Sequence, residues 1–220
     1  MVTLAPVQQN LDHAQETSIQ ERINRSTDEL LASFPNPDEL SATQRRGIIA
    51  RYTAVLEGNF IYWMTATYLS IASEEARAKI QENLYEEVHD CHPGMMRRFA
   101  LAAHAAPTDS DFAAVYQDLM NVRLFLGRLS GVPNVLTMAF FEGWIQRFMS
   151  YLADLARLQG SQEFEYTDVH GVCDITHTAE LYHALAAEMA LNPVGAETNL
   201  FEGVDLLITL LRTVVNQASN

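Results

Sequence analysis

Cysteine and lysine are both scarce in this chain of 220 residues. Its two cysteines, Cys91 and Cys173, are too few and too far apart in sequence to predict a disulfide framework. A reducing compartment is the simpler interpretation. The first ten residues also lack a basic segment followed by an apolar run, so no signal peptide is predicted. Together these absences favour a cytoplasmic protein.

Positive charge is also sparse. Lysine and arginine together number 14 against 28 acidic residues, which gives a formal net charge of −14. Binding to nucleic acid or to an anionic membrane needs clustered basic side chains, so neither partner is expected. The most apolar stretch near the C-terminus, residues 205–215, is too short to cross a bilayer. A small-molecule substrate is the expected partner.

Alternation typical of strands is essentially absent, whereas helical periodicity runs through most of the chain. Ser41 and Gln44 form a capping-box pattern at the start of one helix. The pattern predicts an all-α bundle of seven or eight helices in a single domain, residues 1–220, with residues 1–38 as an N-terminal helix and linker packed on it. Helices are predicted over residues 16–32, 41–72, 73–90, 95–104, 109–129, 134–158, 167–192 and 197–216.

His170, Asp174 and His177 are the most informative residues. Their spacing of four and then three residues places them on one stripe of a predicted helix. Two imidazoles and a carboxylate in register are ligands that non-haem iron accepts. We therefore predict a metal-binding face on this helix.

Two glutamates lie in apolar surroundings elsewhere in the chain. Glu57 interrupts the apolar face of a long predicted helix, and Glu142 follows Phe140 and Phe141 and precedes Trp144. Burying a carboxylate in such a setting is costly unless it is paired, protonated or bound to a metal. Each glutamate is accordingly a candidate metal ligand, although a nearby arginine would also account for it.

A further candidate segment spans residues 83–93, which is dense in groups that bind metals. Glu86 and His89 are three residues apart and suited to sharing a metal on an intact helix. Glu87 and His92 are suited to it only if the helix loosens after Asp90. Both pairs remain candidates.

The number of acidic groups distinguishes one metal from two. Glu57, one of Glu86 and Glu87, Glu142 and Asp174 would bring four negative charges into one interior, which is unstable without cations. Two divalent metals would neutralise them. Carboxylates and imidazoles that point inward from separate helices are the ligands of di-iron and di-manganese bundles.

This order of residues, with Glu57, Asn83 to Glu87, His92-Pro93, Glu142 and then His170-x3-Asp174-x2-His177, resembles that of the haem-oxygenase-like di-iron oxidases and oxygenases. The resemblance covers about residues 51–185. It implies a haem-oxygenase-like helical fold, two Fe(II) ions per chain and O2 as co-substrate.

The same resemblance implies a distribution of ligands. One iron would take Glu87 (or Glu86), His92 and His170, with Glu57 as a shared ligand. The other would take Glu142, Asp174 and His177.

The resemblance also implies oxidation of a small amino-acid-like or fatty-acid-like metabolite by N-oxygenation, C–C cleavage, desaturation or cyclisation, often in natural-product biosynthesis. Aromatic residues at helical spacing are predicted to wall the substrate pocket, with one arginine to hold a carboxylate. The same aromatic stripe is also typical of a plain core. The predicted pocket residues are Phe60, Trp63, Phe141, Trp144 and Arg147.

Three other functions remain open. A metal-free hydrolase of the thiaminase-II type would use Cys91 as its nucleophile. A self-modifying aminobenzoate synthase like the chlamydial relatives would consume a tyrosine such as Tyr166 or Tyr182, with Lys79 beside it. A non-catalytic helical binding protein would need neither the cysteine nucleophile nor the tyrosine. The apolar final helix, residues 200–215, also suits a homodimer face.

Overall fold

The computed structural model describes residues 6–195 and 197–216, with side chains from Ser18 onward. This part of the chain is helical throughout, which confirms the all-α bundle. A 3-10 turn, Pro37–Glu39, follows the first helix. The helices are α1 Pro6–Ala32, α2 Ala42–Leu56, α3 Asn59–Ser70, α4 Glu74–His89, α5 His92–Ala102, α6 Asp109–Leu126, α7 Gly131–Leu158, α8 Glu165–Leu191 and α9 Glu202–Asn216.

The helix predicted over residues 41–72 is divided in two. It ends at Leu56, and Gly58 adopts a left-handed conformation with φ of +77° before α3 begins. Glycine reaches this region without steric cost, whereas a helix cannot continue through it. With this division the described residues contain nine α-helices, where seven or eight were predicted.

Several helix ends differ from the predicted ones by a few residues. The capping box of Ser41 and Gln44 is present at the start of α2. A second box, Thr108 with Asp111, precedes α6, which starts at Asp109 as predicted and ends at Leu126, three residues early. Helix α9 begins at Glu202, later than predicted, so the segment after Pro193 is a longer connection.

The turn between α4 and α5 contains a backbone conformation that the sequence does not predict. Cys91 is left-handed, with φ of 59°, and His92 follows as the first residue of α5. Pro93 is in the second position, where it loses no hydrogen bond. Helix α5 therefore starts three residues before the predicted Met95.

Helix α7 lies at the centre of the bundle. It packs along the length of α8 and also contacts α1, α2, α3 and α9. The two central helices approach closely where Gly143 faces Thr178, at 3.4 Å from a notional Cβ. The apolar side of α9, including Leu207, Leu210 and Leu211, is buried in the core. No helix in the described ranges has both the length and the apolar character needed to cross a membrane.

Glu188 near the end of α8 is a buried carboxylate, 1% exposed, that fixes the start of α4. It accepts hydrogen bonds from the Ala72 and Ser73 backbone N–H groups, the latter at 2.8 Å, and from Asn192. A Cβ at Gly131 would lie 2.6 Å from Glu188 Oε1, so the first residue of α7 is a close neighbour as well. One carboxylate thus joins the ends of α3, α4, α7 and α8.

Replacing Glu188 should therefore destabilise the whole bundle. Glu188→Ala leaves buried N–H donors without an acceptor and should lower the free energy of unfolding by about 2–4 kcal/mol. Glu82→Ala, at an exposed position of α4, should change it by less than about 0.5 kcal/mol. Urea denaturation of the two variants measures the difference, and a loss below about 1 kcal/mol for Glu188→Ala would contradict this role.

Candidate metal centre

Helix α8 presents His170, Asp174 and His177 to the interior, where all three are nearly inaccessible to solvent. Their spacing allows this because residues four and three positions apart lie on one helical face. Helices α4, α5 and α7 supply the facing groups. The structure therefore brings the predicted stripe into the centre of the bundle.

A first group of ligand atoms consists of Glu87 from α4, His92 from α5 and His170 from α8, all buried. Their ligand atoms lie within 4.8 Å of one another. His92 Nδ1 donates to Glu87 Oε1 at 2.8 Å, and His170 Nε2 lies 3.9 Å from the same oxygen. The left-handed turn at Cys91 makes this possible because it ends α4 and directs His92 back toward Glu87.

His170 is oriented by its surroundings. Its Nδ1 donates to the Tyr166 carbonyl oxygen at 2.8 Å, which leaves Nε2 as the nitrogen that faces Glu87. The Tyr166 ring packs against the imidazole, and its hydroxyl is 2.8 Å from that of Tyr52. Such an outer hydrogen bond fixes ring and tautomer in histidines that bind metals. Burial lowers the pKa of His170, so its imidazole is neutral, as a ligand must be.

A second group lies one turn further along α8. His177 Nδ1 is 3.5 Å from Asp174 Oδ1 and 4.0 Å from Glu142 Oε2 on α7. Cys173 donates to Asp174 Oδ1 at 3.1 Å, and Asn83 donates to Glu142 Oε1 at 3.2 Å. Asp174 Oδ2 and His177 Nδ1 are buried without a hydrogen-bond partner. Buried polar atoms are almost always satisfied, so these two atoms are open to a further partner such as a metal ion.

Glu86 lies at the rim of this second group. Its Oε2 accepts a hydrogen bond from His177 Nε2 at 3.0 Å, while its side chain remains about half exposed. A carboxylate on one imidazole nitrogen orients the other toward a metal. Glu87 therefore belongs to the first group, and Glu86 lies beside the second.

The buried charges shift several pKa values. Burial, assisted by Asp174 and Glu87, raises the pKa of Glu142 well above its ordinary value. Burial alone would lower the pKa of His177, but the carboxylates of Asp174, Glu142 and Glu86 outweigh it and raise the pKa to about 10. Without a cation, both shifts favour the protonated forms of Glu142 and His177.

A narrow cavity of about 20 Å³ reaches the first group. That volume has room for about one water molecule. Apart from Glu87, Glu142, His92, His170 and Tyr166, its walls are apolar. The apolar wall residues are Leu56, Phe60, Ile61, Pro93, Met96 and Ile145.

Two predicted ligands are placed elsewhere. Glu57 ends α2, and its carboxylate pairs with Arg97 beside a separate surface pocket. It leaves the helix face because α2 stops at Leu56, just before the left-handed Gly58. His89 is exposed, pairs with Asp90 and stacks on Tyr85. The structure thus favours His92 over His89 and does not bring Glu57 to either group.

The predicted pocket residues also need correction. Of the five, Phe60 lines the cavity. Trp63, Phe141 and Trp144 are fully buried and pack on one another, so this aromatic stripe is core. Arg147 pairs with Asp28 of α1 and lines a different, open groove.

The residues on which the alternative functions depend lie in different parts of the structure. Cys91 is exposed and does not line the cavity. Tyr166 does line it, whereas Tyr182 does not. Lys79 pairs with Glu180 at 2.8 Å between α4 and α8.

Sequence reasoning missed Cys173 and Tyr52 as neighbours of the site. Cys173 is four residues before His177, so the same helical periodicity that selected Asp174 would have found it. No local pattern marks Tyr52, which reaches Tyr166 from α2 across the bundle.

The shifted pKa values predict how the metal-free protein responds to pH. A group whose pKa is higher in the folded state stabilises the fold at low pH and loses this effect as pH rises through the folded value. For His177 the loss should run from about pH 6.5 to about 10, at up to about 1.4 kcal/mol per pH unit. The free energy of unfolding, measured by urea denaturation, should therefore fall over this interval.

Two variants test whether the pH dependence of the free energy of unfolding comes from His177. His177→Gln should reduce it, whereas His183→Gln, at an exposed position of the same helix, should leave it unchanged. An equal slope in His177→Gln and wild type would contradict the assignment.

Comparison with known proteins agrees with this geometry. A family model described as "iron-containing redox enzyme" matches residues 49–211 and so includes every residue of the two groups. No curated protein and no solved structure gives a significant match. The match confirms the resemblance seen in the sequence and supports an oxidoreductase that uses iron. The chain therefore belongs to the haem-oxygenase-like family of iron-containing redox enzymes.

Proposed function

We propose that the protein is a non-haem di-iron enzyme that activates O2 to oxidise a small, largely apolar metabolite. The observation that carries this proposal is the pair of adjacent buried ligand groups, with Asp174 Oδ2 and His177 Nδ1 left unpartnered. Histidine and carboxylate on separate helices, pointing inward, are a donor set that suits iron. The residues present therefore fit the metal that the family implies.

The proposed ligands divide between two positions. Glu87, His92 and His170 would hold the first iron, and Glu142, Asp174 and His177 the second. Three buried carboxylates without cations are electrostatically costly, and two divalent ions remove that cost. The raised pKa of Glu142 is the corresponding sign of strain in the metal-free cluster.

Bound ferrous iron would supply the electrons that reduce O2 and the oxidant that attacks the substrate. The protein supplies orientation and exclusion of water. The Tyr166 carbonyl holds the His170 ring, and the Glu86 carboxylate holds that of His177. The apolar walls around Phe60 and Ile145 keep bulk water from the metals.

The cavity also bears on the substrate. None of its lining residues is a lysine or an arginine, so no such side chain would hold a substrate carboxylate away from the metals. The part of the substrate beside the metals should therefore be apolar, as in a fatty-acid-like chain or an apolar amino-acid side chain. Oxidation of such a metabolite would suit a biosynthetic role in natural-product formation.

Anaerobic loading with Fe(II) tests the proposal. The wild type should bind about two irons per chain, gain thermal stability by linkage and consume O2 with a change in its optical spectrum. At a free Fe(II) concentration of 100 times Kd the gain is about 2.7 kcal/mol per site. Wild-type protein that binds no iron and melts at an unchanged temperature would overturn the proposal.

Single substitutions should separate the two positions. Asp174→Asn and His177→Ala should lower the iron content to about one per chain, as should His170→Ala, because each removes a ligand. Iron content is measured on desalted protein together with its circular dichroism spectrum. Retention of two irons in all three variants would contradict the ligand assignment.

Glu57→Gln tests the exclusion of Glu57. Because the carboxylate pairs with Arg97 outside both groups, this variant should keep about two irons per chain. His183→Ala, on the exposed side of α8, is the matched control for the histidine substitutions. A loss of iron in Glu57→Gln would restore this residue as a ligand.

A further inference from the structure

We propose that Cys173 is a thiolate ligand at the second metal position, where it completes a Cys-Asp-His group on α8. This inference rests on the proposed function in one respect, namely that the second position holds a metal. It adds a soft sulfur donor to a set that otherwise contains oxygen and nitrogen.

The geometry places all three donors around one point. Cys173 Sγ is 3.1 Å from Asp174 Oδ1, and His177 Nδ1 is 3.5 Å from the same oxygen. The ligand atoms of the three residues lie within 4.8 Å of one another. Metal–sulfur bonds of about 2.3 Å and metal–nitrogen bonds of about 2.0 Å require separations of roughly this size.

The unpartnered atoms independently indicate a cation here. Asp174 is 0% and His177 is 2% exposed, and Asp174 Oδ2 and His177 Nδ1 have no hydrogen-bond partner. Cys173 is one helical turn before His177, so its sulfur lies on the same side of α8. Both atoms carry a lone pair that can coordinate a cation when His177 is neutral.

Binding would exchange a proton for the metal. In the metal-free protein the Cys173 thiol donates to Asp174. A divalent cation displaces that proton to solvent, and thiolate, imidazole and carboxylate then coordinate it without any change in oxidation state.

A sulfur donor should make the two positions chemically unequal. The first group offers one carboxylate and two imidazoles, whereas the second includes sulfur. Softer divalent ions such as Co(II), Zn(II) and Cd(II) should therefore prefer the second position, and harder Mn(II) should not.

Anaerobic titration of reduced, metal-free protein with Co(II) tests this inference. Wild type and Cys91→Ser should both develop a sulfur-to-cobalt charge-transfer band in the near ultraviolet. Cys173→Ser should lack the band, keep the weaker visible absorption of bound Co(II), and bind it roughly tenfold or more weakly. Because serine still donates to Asp174, a cysteine that acts only as a hydrogen-bond donor would give no such loss.

A second measurement does not depend on how Cys173→Ser folds. In Cys91→Ser, where Cys173 is the single remaining cysteine, X-ray absorption at the cobalt edge should detect one sulfur neighbour about 2.3 Å from the bound Co(II). Circular dichroism of each metal-free variant reports its folding.

The outcomes separate the two proposals. Co(II) that binds without a band dependent on Cys173, or with a band lost in Cys91→Ser, overturns the sulfur ligand and leaves the di-iron proposal standing. An X-ray absorption spectrum of Co(II)-loaded Cys91→Ser without a sulfur neighbour does the same. Wild-type protein that binds neither Co(II) nor Fe(II) overturns both.

Discussion

The burial of three carboxylates in one helical interior is the constraint on which the rest of the structure depends. Glu87, Glu142 and Asp174 come from α4, α7 and α8, and each is at most 4% exposed. Their mutual repulsion and lost hydration oppose folding. The surrounding histidines, the Asn83 amide and the Cys173 thiol reduce that cost by donating hydrogen bonds or positive charge, but they leave one oxygen of Asp174 without a partner. A bundle that keeps such a cluster does so for a cation.

The remainder of the fold holds these groups in place. The close approach of α7 and α8 at Gly143 sets the distance between Glu142 and the α8 histidines. Glu188, far along α8, fixes the beginning of α4 and hence the line on which Glu86 and Glu87 lie. The aromatic core around Trp144 and Phe148 packs α2 against α7 and leaves the Tyr52 hydroxyl beside that of Tyr166.

Local periodicity predicted the α8 face and the helical class because both depend on residue spacing within one element. Glu142 was predicted for the same reason, since its apolar neighbours show that its helix is buried. The choice between His89 and His92 depended on the left-handed backbone at Cys91, a conformation that is uncommon for a residue other than glycine. Glu57 was placed with the metals because Gly58 was expected to continue a helix that it in fact interrupts. Contacts between residues distant in sequence, such as those of Arg97 with Glu57 and of Tyr52 with Tyr166, cannot be predicted from local sequence patterns.

Helix α5 carries a consequence that goes beyond its single ligand. Its first residue, His92, belongs to the first ligand group, and one turn further on Arg97 holds Glu57 at the bend between α2 and α3. Leu56 and Phe60, on either side of that bend, are walls of the cavity. One short helix therefore connects the first ligand group to the bend that carries two walls of the cavity. Because one helix carries both contacts, the position of His92 beside Glu87 and the position of the bend between α2 and α3 are set together.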